Sequence, residues 1–528
     1  MGIDGLWPIL EPVRQTVTLQ EYSVQKGFLA NINGSRVLHV GIDASTIMAG
    51  YTYNSNAHAH IHATADGPLV QMWRLLNQLS RATVDATFVY DGENRPEKKR
   101  GRTVIHVEPL YQKKCKQLVE AFGYRNHAAP GEAEAELCEM NQRGVIEAIV
   151  TIDSDVFPGG ATHVMRINSK KSTDTQLVVD IFDAARIQET LGLSHAGLIL
   201  IAGLAGNDLH DGLDGCGIET SRQLAQAGFA EGLIQDYQLS KHSSSRFHDR
   251  MDRLRLDIAN ELRTKKKRTE GNRNEKLARH ILGQSELIPI SVLRHFIEPV
   301  SSWSEGNQQP DISRWLPQLH DMDAILTFCK EHMGWKDDYV LKRWHSELYA
   351  GVIIRMLSSK YLGYEQATGK ITVLILGKHG ARQTQIIGPN PPNLANAGPA
   401  RRLTFSVAGI INAPLEHKDT VMVTVPTPLI TDMVNRFVHG RNPKVKASRV
   451  NTLKVKASKV RGSKAKASKA NAAKARASKK AIRRPQLKKR KNQITEIMDF
   501  TEDEDSPRVV PVKDSGEVIE LTDSEEDV

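Results

Sequence analysis

Three segments in the first third of the chain share one pattern, a run of mostly apolar residues that ends in an aspartate. They are 37–43 (VLHVGID), 86–91 (ATFVYD) and 148–153 (AIVTID). Near-continuous apolar runs of this length are typical of strands buried on both faces of a sheet. Between them, 67–81 and 110–122 carry apolar residues three and four positions apart, the spacing of a helix. The alternation predicts an α/β fold in which helices flank a mostly parallel central sheet.

The aspartates that end these runs are Asp43, Asp91 and Asp153. In an open parallel sheet, ligands bind outside the carboxyl ends of the strands, so these three side chains are candidates for one site. A single aspartate at a strand end is more often a turn residue or a helix cap. Three of them on neighbouring strands favour a common function.

The pattern changes twice further along the chain. From residue 194 to 228, helical spacing surrounds a glycine-rich turn at 211–217, and helical segments continue to about residue 350. Short β-like runs follow, at 370–376, 403–411 and 420–425. The predicted regions are an α/β core at 1–190, a helical region at 191–345, a small β-rich module at 346–440 and a disordered tail at 441–528.

The charge of the chain is concentrated in that tail. Residues 441–491 contain 21 Lys and Arg and no acid, whereas 492–528 contain 13 acids and 2 bases. A basic segment attracts nucleic acid without regard to its sequence and implies no chemistry. The four cysteines form no CxxC pair, which argues against a common zinc module and against a disulfide framework.

Further acidic residues accompany the three aspartates. Residues 131–136 (GEAEAE) carry three glutamates, Asp155 follows Asp153, and Asp208 lies just before the glycine-rich turn. Crowded negative charges are costly unless cations neutralise them, and hard oxygen ligands favour Mg²⁺ or Mn²⁺. Two such ions can activate water and stabilise both oxygens of a phosphodiester displacement. Metal-dependent phosphoryl chemistry is therefore the predicted function class.

The motifs MGIDGLWPIL, GIDAS, VYDG, GEAEAE, TIDSD and GND…GCG resemble, in the same order, those of the XPG/flap-endonuclease (Rad2-type) family. The resemblance covers roughly residues 1–345 and implies a PIN-like nuclease core, two Mg²⁺ ions for which Mn²⁺ can substitute, and catalysis assisted by Lys98 and Lys99. Helical periodicity would pair Glu132 with Glu136, and only the resemblance selects Glu134. The metal-site carboxylates that it implies are Asp43, Asp91, Glu132, Glu134, Asp153, Asp155 and Asp208.

The resemblance also implies that 1–190 is the nuclease core and that the helical region 191–345 binds DNA. Gly215 and Gly217 would lie in a helix–two-turn–helix element whose backbone grips a phosphate strand, often through K⁺; the alternative is a structural turn between helices. The basic run 263–268 is a candidate duplex track or simply a solvated face. The residues predicted to contact DNA are Gly2, Arg95, Arg100, Arg102, Gly215, Gly217, Arg263, Lys265, Lys266, Lys267 and Arg268.

Within the family, the short span of about forty residues between Asp91 and Glu132 leaves little room for an arch that threads a free 5′ end. In three features the chain resembles the GEN/Yen class of fungal Holliday junction resolvases. These are the short span, Glu219 and the β-rich module, which is similar to a chromodomain. That class implies a homodimer on four-way junctions and symmetric paired incisions. The alternatives are a 5′-flap or bubble endonuclease and a non-catalytic chromatin or DNA-binding protein.

The tail carries two short motifs. Residues 488–491 (KKRK), with Arg483 and Arg484, resemble a nuclear localisation signal, so we expect the protein in the nucleus. Residues 518–522 (VIELT), followed by DSEED, resemble a motif that binds SUMO by adding a strand to the edge of its sheet. The alternative is a solvated linker without a partner.

Overall fold

The computed structural model describes residues 2–31, 34–57, 67–96, 98–99, 102–103, 110–240, 244–264, 273–360, 362–365, 370–377, 380–387, 398–407, 410 and 420–438. The predicted features that lie outside these residues are Arg100, Lys265, Lys266, Lys267, Arg268 and the whole tail 441–528. The strands are, in chain order, β1 Gln15–Thr18, β2 Leu38–Asp43, β3 Val84–Tyr90, β4 Lys98–Lys99, β5 Arg102–Thr103, β6 Arg125–Ala128, β7 Ala148–Val150, β8 His163–Ile167, β9 Val178–Asp183, β10 Leu362–Glu365, β11 Lys370–Gly377, β12 Gly380–Ile387, β13 Ala400–Ser406 and β14 Thr420–Pro426.

The larger sheet has the strand order β1-β9-β8-β7-β2-β3-β6. Strand β2 pairs in parallel with both β3 and β7, so the three predicted strands are direct neighbours. Strands β6 and β8 extend the parallel part on either side, while β9 and β1 add antiparallel pairings at one edge. The predicted mostly parallel sheet is confirmed, and the antiparallel edge is a feature that the hydrophobic runs did not indicate.

Helices cover the sheet on both faces, as predicted. Along β3, Ala86 and Phe88 belong to one hydrophobic core and Val89 belongs to the other, because successive side chains of a strand point to opposite faces. The helices are Leu6–Leu10, Leu19–Ser23, Ala44–Ala57, Gly67–Ser80, Leu110–Ala121, Ala133–Gln142, Ala184–Leu191, His195–Ala205, Ile218–Gln226, Leu233–Ser240, Ser244–Thr264, Arg273–Gly283, Ile290–Ile297, Met322–Met333, Asp337–Arg343, Tyr349–Ser358 and Thr427–Val438.

The helix His195–Ala205 is apolar around its whole circumference because it runs through the core, where residues 197–204 are buried. No single helix among the described residues is long and apolar enough to cross a membrane. This helix passes that test only together with the preceding helix Ala184–Leu191, to which it is bent by 79°.

The predicted β-rich module contains an antiparallel sheet in the order β10-β11-β12-β13-β14. Burial alternates along β14, with Val421, Val423 and Val425 inward, as expected for a strand with one buried face. The run Asp337–Arg343 continues through a π-helical turn at Trp344–Leu348 into the next helix, so the expected boundary at 345/346 lies within helical structure.

One ion pair connects the loop before β2 to the helix Thr427–Val438 of the module. The guanidinium of Arg36 donates to both carboxylate oxygens of Asp432, at 2.9 and 2.7 Å. The same guanidinium donates to the Ser358 carbonyl at 3.0 Å and lies 4.4 Å from the centre of the Phe28 ring. These contacts compensate for the left-handed backbone of Arg36, whose φ is 64°.

A buried charge cluster joins the amino-terminal ends of β2, β3 and β6. The carboxylate of Asp85 is 1% exposed and accepts a hydrogen bond from Arg125 at 2.6 Å, with the His39 ring 3.3 Å away. Burial alone would raise the pKa of Asp85, but Arg125 and His39 outweigh it and lower this pKa to about 2. The cluster therefore stabilises the ionised carboxylate.

Asp85→Asn should lower the free energy of unfolding by about 2–3 kcal/mol at neutral pH, because the variant leaves Arg125 buried without its counter-charge. A carboxyl group whose pKa is lowered on folding stabilises the protein above its unfolded pKa, and this contribution is lost as pH falls through the folded value. The difference from the wild type should thus be constant from pH 8 to about 5 and shrink as pH falls toward 2.

Urea unfolding across this pH range measures the effect. The exposed Asp174→Asn is the control and should change stability by less than about 0.5 kcal/mol. Equal stability of Asp85→Asn and the wild type at pH 7 would contradict the assignment.

Candidate active site

Strand β2 ends at Asp43, whose side chain is completely buried. One carboxylate oxygen accepts from the Thr46 amide at 3.1 Å, and the other accepts from the Thr151 hydroxyl at 3.0 Å. Burial raises the pKa of Asp43 to about 6; the Thr46 amide lowers it, and the negative charge of Asp91 raises it again. A nearby cation would therefore stabilise the ionised form of this group.

Asp91 follows directly after β3 and caps the helix Ala133–Gln142. Its Oδ1 accepts from the Ala133 amide at 3.0 Å, and its Oδ2 lies 3.1 Å from Arg95 Nη1. The helix has no cap from the side chain of its own N-cap residue, Glu132, so a carboxylate from another strand performs this role. This contact brings Glu132 and Glu134 to the end of β3.

The backbone after β3 touches the backbone before that helix. The Gly92 amide donates to the Gly131 carbonyl at 2.7 Å, and a Cβ at Gly92 would lie only 1.9 Å from the Ala129 carbonyl oxygen. A side chain at position 92 is therefore incompatible with this approach.

Thr151 joins the first and third strand ends. Its hydroxyl group donates a hydrogen bond to Asp43 at 3.0 Å and accepts one from the Asp153 amide, also at 3.0 Å. The Asp153 carboxylate in turn accepts from the Asp155 amide at 2.9 Å. Burial raises the pKa of the Cys138 thiol, and the negative charges of Glu134, Glu139 and Asp153 raise it further.

Asp208 is connected to the other carboxylates through the amino-terminal residues. The Gly2 amide donates to Asp208 Oδ1 at 3.2 Å. Gly2 has a φ of +78°, and a Cβ there would lie 2.3 Å from Asp153 Oδ1 and 2.5 Å from Ser154 Oγ. The structure thus brings Gly2 into the acidic site.

The third glutamate of 131–136 has different partners. Glu136 is completely buried; its Oε1 lies 2.7 Å from His127 Nε2, and its Oε2 accepts from the Ser302 amide at 2.7 Å. His295 lies beside Glu132, with Nε2 3.5 Å from Oε2. Nothing in the local sequence marks these two histidines or Ser302, so they were not predicted as site residues.

The donor chemistry of the predicted ligands suits Mg²⁺ or Mn²⁺, since all seven are carboxylates. In the described part of the chain, however, no three His, Cys, Asp or Glu side chains are grouped so that they could hold a metal ion. The contacts that connect the carboxylates run through Thr151, the Gly2 amide and the Asp91 helix cap.

The predicted DNA-binding residues lie on several different elements. Arg95 pairs with Asp91, while Lys98, Lys99 and Arg102 lie on the short hairpin β4–β5, where only the backbone is described. The turn with Gly215, whose φ is +81°, and Gly217 connects the helices His195–Ala205 and Ile218–Gln226. Arg263, in the last turn of Ser244–Thr264, lies 3.5 Å from Glu275 and is partly exposed.

Residues 123–208 match the family model of the XPG I-region. The chain is 26% identical over 273 residues to the DNA repair protein RAD2 of Saccharomyces cerevisiae, covering 51% of this chain and 24% of the relative. It is also 26% identical over 260 residues to Flap endonuclease GEN homolog 1 of Homo sapiens, covering 45% and 26%. The aligned part thus spans about a quarter of the length of these curated relatives.

Solved structures of the "eukaryotic junction-resolving enzyme GEN-1" have the same fold. One, "binding with Cesium", aligns with a TM-score of 0.60 at 21% identity and covers 83% of this chain and 99% of the other. Another, of the "Holliday junction-resolving enzyme GEN1 (WT) in complex with product DNA, Mg2+ and Mn2+ ions", has a TM-score of 0.57 at 21% identity and covers 83% and 98%. As its motifs predicted, the chain matches the XPG I-region model and is similar in sequence to the DNA repair protein RAD2 and to Flap endonuclease GEN homolog 1, and in fold to the GEN junction-resolving enzymes.

Proposed function

We propose that this protein is a Mg²⁺-dependent endonuclease that hydrolyses phosphodiester bonds in branched DNA. The observation that carries the proposal is the completely buried carboxylate of Asp43, which the negative charge of Asp91 approaches from the next strand. Two such charges are costly to hold together unless cations balance them. Carboxylates at adjacent strand ends are therefore suited to binding divalent metal ions.

The residues that would hold the ions are the seven carboxylates predicted from the motifs. When bound, the ions would supply an activated water and stabilise the oxygens of the reacting phosphate. The chain itself orients the ligands: Thr151 holds Asp43 and the Asp153 backbone in one register, and Asp91 holds the turn that bears Glu132 and Glu134. Lys98 and Lys99 lie on the hairpin that follows Asp91, which suits a contact with the scissile phosphate.

The preferred substrate in this proposal is the Holliday junction, cut symmetrically by two copies of the chain. The short span between Asp91 and Glu132 supports this choice, because its described part between residues 98 and 103 is a hairpin of two-residue strands. The relatives with this fold are named as junction-resolving enzymes. A nuclear location, K⁺ at the Gly215–Gly217 turn and a SUMO partner for 518–522 belong to the same proposal.

The alternative substrate is a 5′ flap or bubble. This alternative rests on the names of two sequence relatives, a flap endonuclease and a DNA repair protein. A non-catalytic DNA-binding protein would not account for carboxylates at three adjacent strand ends, two of them, Asp43 and Asp153, fully buried.

The full-length chain with Mg²⁺ should cut an end-labelled immobile four-way junction at two symmetric positions. The products should be religated by a DNA ligase, since hydrolysis would leave 5′-phosphate and 3′-hydroxyl ends. Denaturing gels with a 5′ flap and a linear duplex of the same sequence run in parallel measure the preference. Cutting confined to the flap would favour the alternative, and no cutting of either branched substrate would refute the nuclease.

Asp153→Asn should lower single-turnover cleavage by about 100-fold or more while leaving junction binding nearly intact, because it removes a metal-ligand charge and little volume. Rapid-quench cleavage and a gel-shift assay separate the two effects. The exposed Asp174→Asn is the control. If Asp153→Asn cleaved DNA at the wild-type rate, Asp153 would not be a metal ligand.

Thr151→Val should reduce single-turnover cleavage by about tenfold, because the near-isosteric valine loses both hydrogen bonds that orient Asp43 and Asp153. Thr83→Val is the matched control, since Thr83 is equally buried, at 1% exposure, and its hydroxyl bonds to Ser23 outside the site. If both variants slowed cleavage equally, the loss would reflect general stability and not orientation.

A further inference from the structure

Glu136 is the glutamate of residues 131–136 that the proposed metal site does not use, yet it is the most deeply buried of the three. An ionised carboxylate with no exposed surface is costly unless its oxygens are hydrogen-bonded. Both are: Oε1 lies 2.7 Å from the His127 ring, and Oε2 accepts from the Ser302 amide at 2.7 Å. The partners come from strand β6 and from a loop 166 residues away in sequence.

This pair of contacts lies one helical turn from the metal-site glutamates. The Glu136 amide donates to the Glu132 carbonyl at 3.2 Å, at the first turn of the helix Ala133–Gln142. Glu134 belongs to the same turn. Because a helical turn is rigid once its hydrogen bonds form, fixing Glu136 also fixes the rotation of the backbone that carries the other two glutamates.

The segment that supplies Ser302 contacts the same turn at two further points. The Val300 carbonyl lies so close to Gly131 that a Cβ there would be 2.8 Å from it. His295, on the helix Ile290–Ile297, approaches Glu132 to 3.5 Å. On the other side, the His127 ring packs edge-on against Trp315 at 5.9 Å. Residues from the predicted DNA-binding region therefore hold the turn against strand β6.

We propose that Glu136 is a positioning residue: by joining His127 to the Ser302 amide, it sets the geometry in which Glu132 and Glu134 bind divalent metal. This inference rests on the proposed metal-dependent function. Glu136 does not itself bind the ion, and its effect on metal affinity passes through the backbone of the turn. Partners of this kind typically contribute 10- to 100-fold to metal affinity or activity.

Mn²⁺ binding to the full-length protein without DNA tests the inference, and electron paramagnetic resonance of the free ion measures it. Glu136→Ala should weaken Mn²⁺ binding by about tenfold. Glu136→Gln should weaken it less, because its amide oxygen can still accept from the Ser302 amide. Asp153→Asn, which removes a proposed ligand, should cause the larger loss.

The matched control is Asp180→Asn. Asp180 is also buried, at 3% exposure, and accepts hydrogen bonds from Thr16 at 2.7 Å and Asn168 at 3.2 Å, on the β1–β9 edge of the sheet. This variant should lower the melting temperature in the way that Glu136→Ala does and leave Mn²⁺ affinity unchanged. Thermal melting of each variant verifies that binding is measured on folded protein.

Three results would overturn the inference. Wild-type Mn²⁺ affinity in Glu136→Ala would exclude the positioning role. An equal loss of Mn²⁺ affinity in Asp180→Asn would show that the effect reflects a general loss of stability. A loss of Mn²⁺ affinity in Glu136→Gln as large as that in Asp153→Asn would indicate that Glu136 itself binds the metal ion. If the wild type binds Mn²⁺ but cuts no branched DNA, the proposed function fails and this comparison still stands; if it binds no Mn²⁺, both fail.

Discussion

Parallel pairing of β2 with β3 holds Asp43 and Asp91 at the same edge of the sheet, where their negative charges oppose each other. The register is fixed by apolar side chains packed into cores on both faces, so the strands cannot slide to separate the charges. Hydrophobic burial thus offsets a local electrostatic cost. The hydrogen bonds around the site orient these carboxylates despite their mutual repulsion.

Three of the acidic groups, Asp43, Asp91 and Asp208, accept hydrogen bonds from neutral donors in distant parts of the chain. Backbone amides bind Asp91 and Asp208, and a hydroxyl binds Asp43, so the carboxylates are oriented without being neutralised. An ion pair satisfies a carboxylate and competes with a metal for it, whereas an amide dipole leaves most of the charge in place. Arg95 at Asp91 and His295 at Glu132 are basic groups beside these carboxylates, and Arg95 lies on the segment predicted to meet DNA.

The sequence allowed the α/β class, the three adjacent strands and the aspartates at their ends to be predicted, because hydrophobic periodicity is a local signal. Motif resemblance, and not periodicity, preferred Glu134 to Glu136, and the structure supplies a physical reason to separate them: Glu136 is engaged by His127 and Ser302. Those partners were not predicted, since Ser302 is 166 residues from Glu136 and His127, although close in sequence, lies on a separate strand, and neither is in a recognisable motif. The antiparallel β1–β9 edge was missed for a similar reason.

The acidic site also depends on contacts between residues that are far apart in sequence. The Gly2 amide and Asp208 are 206 residues apart, and Ser302 reaches Glu136 across 166 residues. Contacts with such separations form only after long loops have closed, and on the ribosome they require the later partner to have been synthesised. A nascent chain that has already made Asp43, Asp91 and Asp153 still lacks the residues that complete their surroundings. The surroundings of the acidic site can therefore be completed only after Ser302 has been synthesised.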